Sequence, residues 1–320
     1  MLYSRFTTGM LATCLIPGIA GIAHGQDYPV KTIRIVTAAA GGGSDFIARL
    51  IAQGISGPLG QPVIVDNRQS ALTGELTAKA PPDGYVLLVA GGSHWIRPQL
   101  TKMPYDPIKD FVPISLVVRE INVIAVHPSL PVKSVKELIA IAKARPGELN
   151  YGSSSGVGSS SHLATELFKQ MAGVNIVHIP YKGEAPAISA LVSGETQIGI
   201  FDVGLMAPHV KSGRLKALAV ASAQASALAP GLPTASASGL PGYEAVSMTG
   251  IFAPAKTPSA IVTRLNHEIV RVVTRPEVKE RIFISGAEAV GSSPEEFGAK
   301  VQSEVNRVSK LIKDAGIKAD

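Results

Sequence analysis

Residues 32–45 read TIRIVTAAAGGGSD, and this stretch decides the fold. The apolar run from Ile33 to Thr37 predicts a β-strand, and the spacing of apolar residues after Ser44 predicts a helix. The glycines between them let a ligand approach the backbone closely. Because a helix N-terminus presents unpaired N–H groups and a partial positive charge, this loop is suited to binding an anion.

A second loop of the same kind lies in the middle of the chain. Residues 151–162 read YGSSSGVGSSSH and precede a helix whose apolar positions include Leu163 and Leu167. Serine hydroxyl groups both donate and accept hydrogen bonds, so this loop can hold a carboxylate without an arginine. For either loop alone, a tight turn with a helix cap is the better explanation, but two such loops in one chain favour a ligand site.

Short strands alternate with helices along most of the chain, which predicts an α/β fold with mainly parallel sheets. The helices carry apolar stripes, one of which ends at Met171. The C-terminal helix has the clearest signals: Ser293 as N-cap, Pro294 at the first position, Glu296 to complete a capping box and Gly316 as terminator. The predicted strands are residues 32–37, 62–66, 85–90, 122–127, 148–152, 175–180, 196–201 and 215–221.

Residues 1–25 are a predicted secretory signal peptide. Arg5 precedes an apolar run that is too short for a membrane-spanning helix and is interrupted by proline and glycine. We therefore expect cleavage before Gln26 and a product in the periplasm. The only cysteine, Cys14, lies in this segment, so the mature chain has no thiol for a disulfide or a metal. A lipid anchor at Cys14 is the alternative to cleavage before Gln26.

The composition argues against several classes of function. The formal net charge is +6, but the basic residues are scattered singly, so no nucleic-acid partner is expected. Neither glycine-rich loop contains the Gly-Lys-Ser/Thr sequence that grips a nucleotide phosphate. The seven histidines include no pair four residues apart on a helix, so no metal site and no cofactor are expected.

A serine hydrolase is the alternative from a different class. Residues 152–156 read GSSSG, which matches G-x-S-x-G with Ser154 as nucleophile, and Asp202 and then His209 or His267 follow in the required order. In a nucleophile elbow the helix follows directly, whereas residues 157–161 intervene here. We therefore expect a chain that is not an enzyme.

A series of short motifs runs along nearly the whole chain, from about residue 28 to residue 317. This series resembles the Bug family, the periplasmic receptors of tripartite tricarboxylate transporters. In chain order the motifs are AGGGSD (40–45), LGQPV (59–63), NR (67–68), PDGY (82–85), YDP (105–107), HPS (127–129), YGSS (151–154), HIPYKG (178–183), FD (201–202) and PH (208–209).

The resemblance implies a two-domain periplasmic-binding-protein (Venus flytrap) fold whose domains close over a ligand. It implies a small organic acid as the ligand and the membrane components of a tripartite tricarboxylate-type transporter as partners, and we expect a monomer. The implied ligand-binding residues are Gly41, Gly42, Gly43 and Asp45 in the first domain, Ser93 and His94 in a further cleft loop, and Ser153, Ser154, Ser159, His162 and Asp202 in the second domain.

Alternatives remain open at two of these places, and one loop departs from the family. Asp202 ends an apolar strand and either faces the crevice or caps the helix toward His209. Trp95 either stacks on an aromatic acid or packs beneath its loop. After Arg68 the family has a glycine-rich stretch, whereas residues 69–74 here are shorter and contain a single glycine, so the family's contacts from this loop do not transfer directly.

The chain is too long for a single typical core and predicts two domains of about 100–150 residues each. Domain 1 is predicted to comprise residues 26–122 and 246–320, and domain 2 residues 123–245. The chain then crosses twice between domains, and the extended runs 121–126 and 243–252 are predicted to form paired hinge strands.

Overall fold

The computed structural model describes residues 28–154 and 158–317. The predicted signal peptide and Cys14 lie outside these residues, as do positions 155–157 of the serine-rich loop. The strands are β1 (Ile33–Thr37), β2 (Val63–Asn67), β3 (Val86–Gly91), β4 (Phe111–Val126), β5 (Asn150–Ser154), β6 (Val177–Tyr181), β7 (Ile198–Asp202), β8 (Lys216–Val220), β9 (Val246–Pro254) and β10 (Ala287–Ala289).

Helices alternate with these strands, as the sequence predicts for an α/β fold. Each βα connection turns the chain back across the sheet, which places the helix starts at the carboxyl ends of the parallel strands. The helices are α1 (Gly43–Leu59), α2 (Ser70–Ala78), α3 (Ser93–Leu100), α4 (Val135–Ala144), α5 (Ser160–Ala172), α6 (Glu184–Ser193), α7 (Val203–Lys211), α8 (Ser259–Val273), α9 (Pro276–Ile284) and α10 (Pro294–Ala315).

The strands form one continuous sheet in the order β2-β1-β3-β9-β4-β7-β5-β6, with β8 and β10 also paired to β4. Pairing is parallel between β1 and both of its neighbours, and between β5 and both of its neighbours. The pairs β3–β9, β9–β4 and β4–β7 are antiparallel. The sheet therefore has two parallel ends joined by antiparallel strands in the middle.

The long strand β4 joins the two parts of the sheet. Its residues Phe111–Ile121 pair with β9, and from Asn122 onward it pairs with β7 and β8. We call the part around β1, β3 and β9 the first half-sheet and the part around β5, β7 and β8 the second half-sheet. The side chain of Asn122 donates a 2.8 Å hydrogen bond to the carbonyl of Ala245, where the chain returns to the first half-sheet. β4 and β9 are therefore paired where the chain passes between the two half-sheets.

Separate apolar clusters support the two half-sheets. Ile35, Ile51 and Leu265 belong to the core that α1 and α8 form against the first half-sheet. Phe201 and Met206 belong to the core that packs on one face of the second. Burial of such side chains is worth about 1.5–3 kcal/mol each before entropy is counted. A third, larger cluster continues through α3, α5 and α10 and joins the two parts.

The sequence signals of the C-terminal helix are confirmed. Ser293 accepts a bond from the Glu296 amide and the Glu296 side chain accepts one from the Ser293 amide, which is a complete capping box. Gly316 ends the helix in the left-handed region, with φ of 63°. The predicted apolar stripe of α5 is wrong at its last residue, Met171, which is 39% exposed. The helix ends one residue later, and its last turn faces outward.

Candidate functional site

The two half-sheets and four helices, α1, α3, α5 and α10, line a cavity of about 620 Å³. β4 and β9 form its floor through Glu120, Asn122 and Thr249. Helix α10 closes one side through Arg307 and Leu311, and the remaining walls are helices and loops from both half-sheets. The cavity therefore lies in the crevice between the two parts of the sheet, where ligands bind in open α/β folds.

Three helix N-termini open on this cavity. Gly43 begins α1, Ser93 begins α3 and Ser160 begins α5, and all three residues line the cavity wall. Each N-terminus brings backbone N–H groups without a helical partner and the positive end of a helix dipole. The convergence creates a region that favours an anion without requiring a positively charged side chain.

The glycine-rich loop before α1 is held in shape by Asp45. Its carboxylate accepts hydrogen bonds from the Gly41 amide at 2.9 Å, from Asn67 Nδ2 at 2.8 Å and from Arg49 Nε at 3.1 Å. The bond from Arg49, followed by those from Gly41 and Asn67, lowers the pKa of Asp45 to about 2 despite its burial. Gly41 has φ of 84°, a conformation that a side chain would strain. Asp45 therefore holds the loop in its conformation, and its carboxylate oxygens already accept intramolecular hydrogen bonds.

The loop before α5 is built from serine–serine and serine–histidine contacts. Ser159 caps the helix by accepting a bond from the His162 amide. The Ser154 amide donates to Ser161 Oγ at 2.9 Å, and the two hydroxyl groups are 3.0 Å apart. Ser153 lies beneath them with its hydroxyl 2.6 Å from Nε2 of His178. Most of these hydroxyl groups therefore stabilise the loop through contacts with other serine and histidine residues of the same region.

The cavity floor carries an acid with a raised pKa. Burial, followed by the charges of Asp202 and Glu184, raises the pKa of Glu120 to about 7. A Cβ atom placed on Gly43 would lie 3.7 Å from Glu120 Oε1, so this carboxyl group faces the start of α1. Neutral Glu120 can donate a hydrogen bond to an anion, whereas ionised Glu120 repels one.

Asp202 has the capping role that the sequence left as one of two alternatives. Its Oδ1 accepts a 2.8 Å hydrogen bond from the Gly204 amide at the start of α7. Burial raises its pKa to about 6, although the hydrogen bonds from the amides of α7 act in the opposite direction. The residue pairs with Asn122 across β4 and β7, next to the cavity floor but not among the residues that line it.

His94 and Trp95 pack into the core. The His94 ring stacks on Tyr105 with centroids 5.0 Å apart and meets Phe111 edge-on at 4.5 Å. Neither ring nitrogen of His94 has a hydrogen-bond partner within the described parts of the chain, and burial lowers its pKa to about 3, so the ring is neutral. Trp95 is 1% exposed and contacts Phe252, in agreement with the packing alternative, although its edge reaches the cavity.

The structure brings some of the predicted ligand residues together on the cavity and places others behind them. Gly43, Ser93 and Ser159 line the cavity. The predicted residues that lie in the same loops or beneath them, without lining it, are Gly41, Gly42, Asp45, His94, Ser153, Ser154, His162 and Asp202.

Sequence reasoning missed the charged residues of the cavity wall. Arg307 is held by Glu304, at 2.7 Å in their shortest contact, and by the carbonyl of Glu244 at 3.1 Å. Arg97, one helical turn after Ser93, also lines the cavity. The only available signal for Arg97 was its i,i+4 spacing from Ser93 on a helix that starts at a cleft loop.

Among the described residues, Ser154 has no histidine placed to act as the general base of a serine hydrolase. The hydroxyl of Ser154 pairs with Ser161, and no imidazole of the described residues lies within hydrogen-bond distance of it. His267 is an exposed residue of α8 beside Glu268. Within residues 28–154 and 158–317 no group of His, Cys, Asp and Glu side chains is arranged to hold a metal ion. None of the helices in that part of the chain combines the length and the apolarity of a membrane span.

Comparison with known proteins agrees with this architecture. The family model of the tripartite tricarboxylate transporter family receptor matches residues 47–317. BugT from Bordetella pertussis is 34% identical over 308 residues, which cover 94% of each chain. The structure of an R. palustris protein with adipate is 37% identical with a TM-score of 0.75, covering 91% of this chain and 99% of that one.

A further solved relative is MatC from Rhodopseudomonas palustris with bound malate. It is 30% identical with a TM-score of 0.72, and the match covers 89% of this chain and 100% of that chain. These proteins share the two-domain periplasmic-binding-protein fold, which confirms the fold predicted from the sequence motifs. The chain therefore belongs to the tripartite tricarboxylate transporter family of solute-binding receptors, the Bug family.

Proposed function

We propose that this protein is a periplasmic receptor that captures a small organic acid by its carboxylate group and delivers it to the membrane components of a tripartite tricarboxylate-type transporter. The observation that carries the proposal is the convergence of the N-termini of α1, α3 and α5 on one cavity of about 620 Å³. Backbone N–H groups at these termini are donors for an anionic group. The receptor acts as a monomer and needs no cofactor.

The size and the surroundings of the cavity support a small acid as the ligand. Ligand sites of about 300–1,000 Å³ accommodate small molecules. Adipate and malate, the acids in the two related structures, are small molecules of the kind that such a site accommodates. Glu120 supports the same ligand class, because its raised pKa keeps part of the population neutral near pH 7.

The proposed delivery depends on export and on closure of the domains. Residues 1–25 act as a cleaved secretory signal. Domain 1 (residues 26–122 and 246–320) and domain 2 (residues 123–245) meet at β4 and β9. A ligand that contacts both domains stabilises the closed form, which the transporter then distinguishes from the open form.

Calorimetric titration of the chain beginning at Gln26 with a panel of small organic acids tests the proposal. We expect at least one acid to bind with a micromolar or lower Kd and to raise the melting temperature by a few degrees at saturation. Gly43→Asp places a competing carboxylate at the start of α1 and should abolish binding. Ser259→Asp makes the same change at the start of α8, away from the cavity, and should have no effect. Equal binding by both variants would refute the assigned site.

A further inference from the structure

We infer that Arg97 determines specificity by pairing with a second negative charge on the ligand, so that the receptor selects linear dicarboxylates over monocarboxylates of the same length. This inference rests on the proposed function. It adds a residue and a selection rule that the helix N-termini alone do not provide, because they can bind any single carboxylate.

Arg97 differs from Arg307, the other arginine of the cavity, in forming no ion pair with any described residue. Its side chain is exposed, and its charge opposes the rise in the pKa of the nearby Tyr105. The two acids that line the cavity leave it free: Glu304 is paired with Arg307, and Glu120 forms no ion pair within the described residues. Arg97 is thus an available cation in a cavity that already favours anions.

The spacing along α3 separates two anion sites by a short distance. Ser93, at the helix start, and Arg97, one turn later, line the same cavity. Four residues of an α-helix span about 6 Å along its axis. One carboxylate at the helix N-termini and another at Arg97 therefore require a short carbon chain between them.

Aliphatic side chains line part of the cavity near Arg97. Ile96 and Leu100 from α3 and Leu163 from α5 line the cavity together with Arg97. Ile96 and Leu163 are 7% and 5% exposed, so they present compact apolar surfaces rather than flexible chains. Methylene groups gain from burial against such a wall.

The guanidinium group is suited to this selection. It donates paired hydrogen bonds to a carboxylate in a fixed geometry. A monocarboxylate that fills the N-terminal site leaves Arg97 hydrated, and so gains nothing from it. The affinity difference between a diacid and its monoacid counterpart therefore measures the contribution of Arg97.

The test compares succinate, glutarate and adipate with butyrate, valerate and hexanoate by calorimetric titration. The wild-type chain from Gln26 should bind at least one diacid on the order of tenfold to hundredfold more tightly than the monoacid of equal length. Arg97→Gln should remove this preference by weakening diacid binding more than monoacid binding, and Arg97→Lys should restore part of it. Arg214→Gln, an exposed arginine outside the cavity, is the matched control and should keep the wild-type preference.

The outcomes separate this inference from the proposed function. If carboxylates bind but wild type and Arg97→Gln show the same ratio of diacid to monoacid affinity, the role of Arg97 is refuted while the receptor function stands. Loss of monoacid and diacid binding to the same degree in Arg97→Gln would also refute it, because that result indicates a structural role. If no small acid binds the wild-type chain, both proposals fail together.

Discussion

Glu120 is the residue whose ionisation bears most directly on ligand affinity. Its pKa rises from 4.5 to about 7, because burial and the neighbouring Asp202 and Glu184 disfavour the charged form. A bound carboxylate adds another negative charge nearby and favours protonation further. The same raised pKa means that Glu120 contributes stability at low pH, which is lost as the pH rises from about 4.5 through 7.

We therefore predict that affinity for organic acids falls as the pH rises from 6 to 8. If only the form with neutral Glu120 binds, the loss approaches tenfold at about one pH unit above the pKa. Calorimetric titration at pH 6, 7 and 8 measures the slope, because the ligand carboxylates are ionised throughout this range. Glu120→Gln should flatten the slope, and Glu280→Gln, an exposed acid of α9, should preserve it. A wild-type slope in Glu120→Gln would assign the pH dependence to another group.

Asp45 illustrates a residue that serves the site through its loop. The side chain is buried and accepts bonds from Gly41, Asn67 and Arg49. Since its folded pKa is lowered to about 2, its stabilising contribution is present above pH 4 and is lost as the pH falls toward 2.

Asp45→Asn should lower the free energy of unfolding by about 1–3 kcal/mol at pH 7, because charge-assisted bonds to a buried carboxylate are lost. Ligand affinity should fall with it as the loop before α1 loosens. Asp83→Asn removes an ion pair with Lys31 whose side chains are 61% and 41% exposed, and should cost less than about 1 kcal/mol. Urea denaturation of both variants measures the difference, and equal losses would contradict the loop-holding role.

At the level of single residues, the sequence predicted the loops of the site better than the side chains that line it. Glycines and serines after a strand identify a loop at the crevice, which holds for Gly43, Ser93 and Ser159. They do not reveal which hydroxyl groups turn inward to support the loop, as Ser154 does. The i,i+4 spacing of Arg97 from Ser93 was too weak a signal to identify it, because a cation on a helix face is usually solvated.

The sequence also predicted some secondary-structure elements incompletely, because tertiary contacts override the local pattern. β4 was predicted only from residue 122, yet it begins at Phe111. Pro113 and the charged pair at 119–120 interrupt the apolar pattern of its first part, and pairing with β9 overrides that local signal. Residues 69–74, which the sequence predicted as a shortened loop, are the N-cap and the first five residues of helix α2. Gly74 sits in that helix because the ring of Tyr105 occupies the space of a side chain, at 2.5 Å from the Cβ position.

Helix α10 packs closely against β9 at Gly250, where, as at Gly74, an aromatic ring occupies the space of a side chain. At Gly250 a Cβ atom would lie 2.5 Å from Cε1 of Phe297 and 2.8 Å from the backbone carbonyl of Ser115. We predict that Gly250→Ala lowers the free energy of unfolding by about 1–3 kcal/mol, because the strand carbonyl cannot move aside. Gly57→Ala, in α1 with no atom near its Cβ position, should instead stabilise by up to about 1 kcal/mol. Thermal and urea denaturation should show changes in the free energy of unfolding of opposite sign for the two variants. An unchanged stability in Gly250→Ala would contradict the close packing of Gly250 against Phe297 and Ser115.

For the whole molecule, β4 and β9 are the strands about which the two proposed domains would move. The proposed domains connect through these strands, whose crossing point is tied by the bond from Asn122 to Ala245. On the open side of the cavity, Leu100 of α3 packs against Gly158 in the loop before α5. Both residues line the cavity, so opening of the proposed domains would separate them.

We predict that Leu100→Ala shifts the receptor toward the open form. Small-angle X-ray scattering of the wild-type chain should show a decrease in radius of gyration on saturation with an acid that binds, because the ligand selects the closed form. In Leu100→Ala the decrease should be smaller and the Kd several-fold higher, since the closed form has lost an apolar contact across the cleft. Leu205→Ala, an equally truncated leucine that is 46% exposed on α7, should behave as wild type. Full compaction of Leu100→Ala at saturation, with an unchanged Kd, would show that closure does not depend on this contact.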